Sequence, residues 1–212
     1  MERALRWAFF TLLVRPLVLL VIGLNVRGRQ HLPGDGPAIL VANHNSHLDT
    51  LVMMTLLPTR LLPQLRPVAA ADYFMRNRAL AWFATRIIGI LPLDRQARGT
   101  RDPLAGLVDA LDRGDILILF PEGSRGEPER LQAFKKGVAH LVARRPQVPV
   151  VPLFLHGLGK SLPRGEALLV PFFCDVFVGE PVVWQGSRED FMRRLDDDVH
   201  TLAAQGQFPT WE

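Results

Sequence analysis

The chain has 212 residues, of which 48% are hydrophobic, and its 25 Lys and Arg residues outnumber 21 Asp and Glu residues, for a formal net charge of +4. This length suits one domain with a full core, and the lack of repeats and low-complexity tracts excludes solenoid and disordered classes. A single cysteine, Cys174, excludes an internal disulfide framework and a cysteine-rich zinc site. The basic balance favours an anionic partner, which could be nucleic acid, a phospholipid surface or a phosphorylated substrate.

Residues 1–28 are predicted to form two short membrane-associating helices. Apolar stretches at 7–14 and 17–24 flank Arg15 and Pro16. A spanning helix needs about 20 apolar residues, and an arginine at the bilayer centre would cost about 3 kcal/mol. Because Pro16 also removes a helical hydrogen bond, we expect two helices that bend there and lie in one leaflet, with Trp7 among the headgroups. The alternative is a helix pair packed in the core. Five arginines are predicted to reach lipid phosphates: Arg3, Arg6, Arg15, Arg27 and Arg29.

The remaining residues, 29–212, are predicted to form a single α/β domain with a largely parallel or mixed central sheet and helices on both faces. The predicted strands are AILVAN, PVAAA, GILPL, ILILF, VPVVPLFL and one or two within ALLVPFFCDVFVG, and the predicted helices are 47–57, 73–86, 103–113, 129–144 and one capped by Ser187. Ligands of such sheets bind beyond the carboxyl ends of strands. Two polar clusters lie there in sequence: NHNSHLD follows AILVA, and PEGSR follows ILILF.

Three interpretations compete for the first cluster. His44, His47 and Asp49 could ligate a metal, but their spacing does not match the usual zinc helix. Ser46 and Asp49 fit the capping box that begins many helices. His44 and Asp49 could instead form a catalytic pair, in which the carboxylate orients the imidazole as a general base.

The capping box and the catalytic pair are compatible. On one continuous helix His44 and Asp49 would point about 140° apart and could not touch. If the helix begins near Ser46, His44 lies in the preceding turn and can fold back over the carboxylate. His47 then points elsewhere. Spacing of this kind is common by chance, so the interpretation needs support from a second site.

The second cluster supplies that support. Gly123 follows a strand and permits a tight turn with positive φ, and Arg125 is a bidentate phosphate binder. Arg95 and Lys135 add positive charge nearby in sequence. The alternative is an ordinary strand-end turn with a solvated Glu-Arg pair.

NHNSHLD, GILPLDR, FPEGSR and VPVVPLFLHG occur in this order at suitable separations, and together they resemble the four sequence blocks of the glycerophospholipid acyltransferase family. The resemblance covers roughly residues 25–182. It implies transfer of a fatty acyl group from acyl-CoA or acyl-carrier protein, as co-substrate, to a glycerolipid hydroxyl, with no metal and no other cofactor. It also implies the two-helix N-terminal membrane motif.

The resemblance assigns site residues by motif position. His44 matches the general base and Asp49 its orienting carboxylate. The acceptor or its phosphate is assigned to Arg95, Glu122, Gly123, Ser124, Arg125 and Lys135, and pocket shaping is assigned to Asn43 and Pro152. Two positions depart from the family pattern: Ser124 stands where threonine is usual, and Pro92 where phenylalanine is common. The second departure bears on acceptor identity more than on chemistry.

The function expected from this resemblance is acylation of 1-acyl-glycerol-3-phosphate to phosphatidic acid in phospholipid biosynthesis, at the cytoplasmic face of a bacterial inner membrane. Another lysophospholipid or a lyso-aminolipid is the alternative acceptor. A non-catalytic lipid-binding homologue is disfavoured by the intact His44 and Asp49, and a nucleic-acid binder by the lack of a recognised motif. The donor, the chain length, the acceptor headgroup and the oligomeric state stay open, as does whether the N-terminal helices span the bilayer or only dip into it.

Overall fold

The computed structural model describes residues 1–74, 77–94, 102–123, 131–161, 173–206 and 208. The strands are β1 (Leu24–Arg27), β2 (Ala38–Ala42), β3 (Leu65–Ala70), β4 (Leu91–Leu93), β5 (Ile116–Leu119), β6 (Val150–His156) and β7 (Cys174–Val178). The helices are α1 (Glu2–Ile22), α2 (Leu48–Leu56), α3 (Ala71–Phe74), α4 (Arg78–Trp82, continued by Phe83–Ile88), α5 (Ala105–Asp112), α6 (Gly137–Val142), α7 (Leu158–Ser161) and α8 (Arg188–Ala204). Short 3-10 turns occupy Arg29–His31 and Thr59–Gln64.

The strands form one seven-stranded sheet in the order β1-β7-β6-β2-β5-β3-β4. Neighbouring strands run parallel, except that β6 and β7 are antiparallel. The predicted α/β class with a mixed sheet is therefore confirmed. Since β2 and β5 are parallel neighbours, their carboxyl ends open onto the same edge of the sheet.

Helices cover both faces of this sheet, as predicted. Alternate side chains of a strand point to opposite faces. Leu40 and Ala42 of β2 pack in a cluster with α1 and α2, whereas Ile39 and Val41 pack in a second cluster with α5, α6 and α8. Each face of the central strands is thus buried, which explains their continuous apolar sequences.

Most predicted elements are present, and three differ in addition to the N-terminal helix. The helix predicted at 73–86 is interrupted, because Asn77 is extended and its side chain accepts hydrogen bonds from Ala79 N and Leu80 N to begin α4. The helix predicted at 129–144 begins only at Gly137 in the described residues; before it, Lys135 N donates to Pro121 O instead of to a helical carbonyl. The third difference is β1, which lies inside the stretch predicted as membrane helices and pairs with β7.

The N-terminus forms one helix and not the two that the sequence predicts. Arg15 and Pro16 both have right-handed helical dihedral angles, and the segments on either side, Phe9–Val14 and Leu17–Ile22, have π-type hydrogen bonding. The wider π-type turns absorb the hydrogen bond that proline cannot make, so the chain passes Pro16 without ending the helix. By length and composition α1 could cross a membrane.

One stripe of α1 packs against the domain. The buried residues recur every fourth position: Arg6, Phe10, Val14, Val18 and Ile22. In a regular α-helix this spacing would rotate the stripe by about 160° over sixteen residues, because each residue turns by about 100°. The π-type turns reduce that rotation and keep the stripe directed at the β2–α2 side of the core.

The opposite side of α1 is apolar and exposed. Its exposed large apolar residues are Leu5, Trp7, Leu12, Leu13, Leu19, Leu20 and Val21. The core packing that was the alternative prediction for this segment therefore involves one face of α1, and the other face is left exposed and apolar.

Arg6 fastens α1 to the domain, which corrects its predicted contact with lipid phosphate. Its Nη2 donates to Leu65 O and Ile88 O, both at 2.9 Å, and the side chain is buried. Burial lowers the pKa of Arg6 to about 10, and the nearby Arg66 adds to that effect, but the group stays charged at neutral pH. Gly89 leaves the room for it, since a Cβ there would lie 2.5 Å from Arg6 Nη2. Arg15 likewise donates inward, to Leu57 O.

Arg6→Leu is expected to lower the free energy of unfolding by roughly 2–4 kcal/mol, because the Leu65 and Ile88 carbonyls lose their shared donor in a buried site. Denaturant titration in mild detergent measures this loss. Arg3→Leu, on the exposed side of the same helix, is the matched control and should change stability by less than about 0.5 kcal/mol. Equal effects of the two variants would contradict the role given to Arg6.

Candidate active site

The sheet brings the two polar clusters together. Val41 of β2 pairs with Leu119 of β5 in parallel register. The NHNSHLD motif leaves β2 and the FPEG segment leaves β5 at the same edge, because the strands run the same way. Residues 44 and 120 are 76 positions apart in the sequence. The two clusters are therefore distant along the chain but meet in space.

His44 and Asp49 form the predicted pair. His44 Nδ1 lies 2.9 Å from Asp49 Oδ2, and the His44 side chain is 19% exposed whereas that of Asp49 is fully buried. Asp49 lies in the first turn of α2 and His44 precedes the helix, so the bend between them turns the imidazole over the carboxylate. With Nδ1 bonded to Asp49, Nε2 is the ring nitrogen left for a substrate proton.

Asp49 also organises the backbone around itself. Its Oδ2 accepts from Asn45 N at 2.7 Å and from Ser46 N at 2.8 Å, in addition to the contact with His44. Burial raises the pKa of Asp49, and the hydrogen bonds from His44, Ser46 and Asn45 oppose that rise. Because the Asn45 and Ser46 amides already serve this carboxylate, they are not donors for a substrate oxyanion.

The predicted capping box is present in its carboxylate half only, because the Ser46 hydroxyl accepts from the Leu48 amide and not from the Asp49 amide. The Asp49 carboxylate accepts from Ser46 N, and Ser46 Oγ accepts from Leu48 N at 3.3 Å. The helix itself begins at Leu48, two residues after Ser46. One carboxylate therefore both caps α2 and holds His44.

Asn43 joins the end of β2 to β6. Its Nδ2 donates to Leu155 O at 2.8 Å, and its Oδ1 accepts from Leu155 N at 2.7 Å. The side-chain amide thus behaves like one more peptide group of the β2–β6 ladder, just before His44. This contact fixes where the turn leaves the sheet, and the shaping of a pocket by Asn43 stays a prediction.

Phe120 is a site residue that sequence reasoning did not single out. Its ring stacks on His44 with centroids 4.2 Å apart and planes at 20°. Asp49 fixes one edge of the imidazole and Phe120 covers one of its faces. The only sequence signal was the position of Phe120 at the head of the FPEG segment, and the contact itself depends on β2 and β5 being neighbours.

Glu122 lies near the His44–Asp49 pair, inside the protein. It is 3% exposed, and its Oε1 accepts from Gln132 N at 3.4 Å. Burial raises the pKa of Glu122 to about 7 and the charge of Asp49 adds to this, whereas hydrogen bonds from the Gln132 and His44 backbone amides oppose it. The carboxyl therefore supports the His44 backbone, and its assignment to the acceptor stays a prediction.

Glu122→Gln is expected to remove a pH dependence of stability. The folded carboxyl has a pKa of about 7 and the ordinary value is 4.5. As pH rises through this window the unfolded chain loses its proton first, so wild-type free energy of unfolding falls, by on the order of 3 kcal/mol at most. Glutamine has no such proton. Urea titrations near pH 4.5 and pH 8 should show the variant gaining stability relative to wild type; a constant difference would contradict the raised pKa.

Gly123 and Lys135 meet where β5 ends. Gly123 has φ +79°, as predicted, and a Cβ on it would lie 2.3 Å from Lys135 Nζ. A side chain at Gly123 would therefore displace the ammonium group. The Lys135 backbone is held in place by its hydrogen bond to Pro121 O, so a positive charge lies beside the turn that carries Glu122.

For the other predicted site residues, the structure gives less information about a role. Pro152 pairs with Val41 inside the sheet, and its ring approaches Gly179 on the α8 side, where a Cβ on the glycine would lie 2.8 Å from Pro152 Cγ. Its part in a pocket stays a prediction. Three predicted acceptor residues lie outside the described residues: Arg95, Ser124 and Arg125.

His47 is exposed, on the outer side of the turn that contains His44. The part of the chain that the structure describes holds no group of three or more His, Cys, Asp or Glu side chains suited to a metal ion. The His44 ring is instead engaged by Asp49 and Phe120.

Comparison with known proteins gives concordant results. The 1-acyl-sn-glycerol-3-phosphate acyltransferase alpha of Mus musculus is 31% identical over 196 residues, covering 89% of this chain and 65% of that protein. The chloroplastic 1-acyl-sn-glycerol-3-phosphate acyltransferase LPAT1 of Arabidopsis thaliana is 33% identical over 172 residues, covering 80% of this chain and 46% of that protein. The chain thus spans less than two thirds of the length of these relatives.

A solved structure shares the fold. The 1-acyl-sn-glycerophosphate (LPA) acyltransferase PlsC of Thermotoga maritima superposes with a TM-score of 0.77 at 21% identity, covering 99% of this chain and 81% of that one. A family model described as Acyltransferase matches residues 23–156, more than half of the chain, from β1 to the end of β6. The chain therefore belongs to the acyltransferase family.

Proposed function

We propose that the protein transfers a fatty acyl group from acyl-CoA or acyl-carrier protein to the free hydroxyl of 1-acyl-glycerol-3-phosphate, forming phosphatidic acid. The observation that carries this proposal is the 2.9 Å contact between His44 Nδ1 and Asp49 Oδ2, with the imidazole partly open to solvent. The names of the related proteins support the same acceptor.

The proposed reaction is a direct transfer. His44 Nε2 takes the proton of the acceptor hydroxyl while that oxygen attacks the thioester carbonyl, and Asp49 stabilises the resulting imidazolium. The new C–O bond forms, the C–S bond breaks, and the proton on His44 passes to the departing thiolate. No acyl-enzyme intermediate is required, because the hydroxyl itself is the nucleophile.

Basic side chains at the carboxyl ends of the strands are proposed to bind the acceptor phosphate. Lys135 supports this assignment, since its ammonium group lies beside Gly123 and its backbone is tied to Pro121. Arg95, two positions after β4, and Arg125, two positions after Gly123, are the further proposed phosphate ligands. Arginine forks and a lysine point charge together suit a phosphate monoester.

Phe120→Leu is expected to lower kcat by roughly tenfold and to leave both KM values nearly unchanged, because the imidazole loses the ring that fixes its plane but no substrate contact is removed. Steady-state kinetics measure the split. Phe191→Leu is the matched control, since Phe191 is buried on α8 against Trp184. A similar loss of kcat in the control would show that Phe120 acts through stability alone.

We also propose that the protein works at a membrane surface, at the cytoplasmic face of a bacterial inner membrane, where acyl thioesters are supplied. The exposed apolar side of α1 supports membrane contact. The buried stripe and Arg6 hold the other side of α1 on the domain, which favours a helix lying in one leaflet over one that spans.

The test is a substrate panel. Purified protein is incubated in mixed micelles with 1-acyl-glycerol-3-phosphate, lysophosphatidylethanolamine, lysophosphatidylglycerol or a lyso-aminolipid, each with acyl-CoA and with acyl-carrier protein. Products are identified by mass spectrometry, with His44→Ala as the control. Phosphatidic acid from the first acceptor is the expected product. Acylation of only another lysolipid would replace the proposed acceptor, and no product from any pair would overturn the proposed reaction.

A further inference from the structure

Helix α4 presents a second exposed apolar surface beside α1. Leu80, Trp82 and Phe83 are 45%, 48% and 37% exposed, respectively. On its other side Ala84, Ile87 and Ile88 are buried. A surface helix of a soluble domain normally turns polar residues outward, so the outward apolar face of α4 marks an interaction site.

The apolar faces of α1 and α4 join. Phe9 makes an edge contact with Phe83, with ring centroids 5.4 Å apart. At the same junction Glu2 accepts a hydrogen bond from Arg86 Nη1 at 3.0 Å. Arg6 adds a third tie, because it donates to the carbonyl of Ile88, the last residue of α4. These contacts hold the two helices together as one surface. The helices are distant in sequence, since α1 ends at Ile22 and Asn77, the cap of α4, lies 55 positions later.

Charge and aromatic placement favour a phospholipid layer as the occupant. From Arg78 to Ile88 the helix has no acidic residue, and in α1 the one acidic residue, Glu2, is paired with Arg86. Arg3 and Arg78 are exposed, and their charge complements anionic headgroups. Trp7 and Trp82 are both about half exposed, the placement in which an indole ring spans the boundary between headgroups and acyl chains.

We propose that α4 is a second membrane-contacting helix and that Leu80, Trp82 and Phe83 insert into the same leaflet as the exposed side of α1. This inference rests on the membrane placement proposed above for α1. If both helices insert, the lipid surface contacts α1 on one side of the Phe9–Phe83 junction and α4 on the other.

Fluorescence quenching tests the proposal without reference to activity. The chain has four tryptophans, Trp7, Trp82, Trp184 and Trp211, and three variants are made that keep only Trp7, only Trp82 or only Trp184, with phenylalanine at the other positions. Each is mixed with phosphatidylcholine–phosphatidylglycerol vesicles whose acyl chains carry bromine. Trp82 and Trp7 should lose roughly half of their emission relative to unbrominated vesicles, because the inserted face reaches the acyl boundary. Trp184 packs on Phe191, on the opposite face of the sheet, and should not change.

The outcomes separate the two helices. Quenching of Trp7 without Trp82 would overturn the role of α4 and leave that of α1. Quenching of neither would overturn both membrane placements, and the micelle assay of acyl transfer would still stand as a separate result. A dimer that covers Trp82, detected by sedimentation with vesicles present and Trp82 unquenched, would replace the lipid with a second copy of the chain.

Vesicle co-sedimentation gives an independent measure. Leu80→Ser and Trp82→Ser should each weaken the partition onto vesicles by roughly threefold to tenfold, because each removes about half-exposed apolar area and leaves the Phe9–Phe83 contact in place. Val183→Ser is the matched control, since Val183 is 49% exposed and lies next to Val182 of the α8-side cluster. Equal binding of all three variants and wild type would overturn the proposal.

Discussion

His44→Ala should reduce acyl transfer to near background, lowering kcat by roughly 10²- to 10⁴-fold, the range over which a positioned general base contributes. The imidazole is the group that Asp49 and Phe120 jointly hold at the carboxyl ends of β2 and β5. Alanine removes the base and leaves the hydrogen bonds of Asp49 with Asn45 N and Ser46 N in place. Initial rates with 1-acyl-glycerol-3-phosphate and either donor measure the effect.

His47→Ala is the matched control, because His47 is exposed and lies three positions along the same motif. It should keep wild-type kcat. Circular dichroism and vesicle binding should be unchanged for both variants, since neither side chain carries core packing. Full activity in His44→Ala, or equal losses in the two variants, would refute the assignment of the base.

Asp49→Asn should lower kcat by roughly 10²- to 10³-fold with a small effect on stability. The asparagine oxygen can still accept from the Asn45 and Ser46 amides, so the start of α2 is kept. A neutral amide, however, lacks the negative charge that stabilises the imidazolium, even where its oxygen still accepts from His44 Nδ1. Kinetics and a denaturant titration on the same preparation separate the two effects.

Asp49→Ala should add a large stability loss to the same loss of kcat. Two buried backbone donors then have no acceptor, which costs roughly 3 kcal/mol. The comparison between asparagine and alanine therefore divides the capping role of the carboxylate from its role towards His44. If Asp49→Asn kept full kcat, the carboxylate would serve only to begin the helix.

The central strands were predictable because their environment is uniform. AILVA and ILIL become β2 and β5, buried on both faces, and such strands read as continuous apolar runs without need of a periodic pattern. The strand β1 was missed, since Leu24–Arg27 alternates partly buried with exposed residues and directly follows an apolar helix. Nothing local separates it from that helix; its pairing with β7, far along the chain, makes it a strand.

The N-terminal helix shows what a local rule leaves out. Arg15 and Pro16 predict a break, and taken alone each disfavours a continuous apolar helix. In the protein Arg15 donates to Leu57 O and the π-type turns accommodate Pro16, so tertiary contacts outweigh both penalties. Arg6 reads as a surface cation in sequence but is buried, because its acceptors, Leu65 O and Ile88 O, come from distant parts of the chain.

The contacts of the site are also of two kinds, those that local sequence predicts and those that depend on the packing of distant strands. The His44–Asp49 contact follows from spacing and from the start of α2, which are local and readable. The stack of Phe120 on His44 and the burial of Glu122 beside Asp49 depend on β2 and β5 being neighbours. Motif resemblance placed Glu122 at the site, and the alternative of a solvated carboxylate in an ordinary turn does not hold, because Glu122 is buried.

The four-residue stripe on α1 determines which changes of length this helix can accept. Inserting one residue would rotate everything beyond it by about 90° to 100° and turn exposed leucines towards the core. Inserting four residues would return Val18 and Ile22 to the domain side. Viable insertions and deletions in α1 are therefore limited to steps of four. A regular α-helix of equal hydrophobicity grafted in its place would turn its exposed apolar side towards the domain at one end.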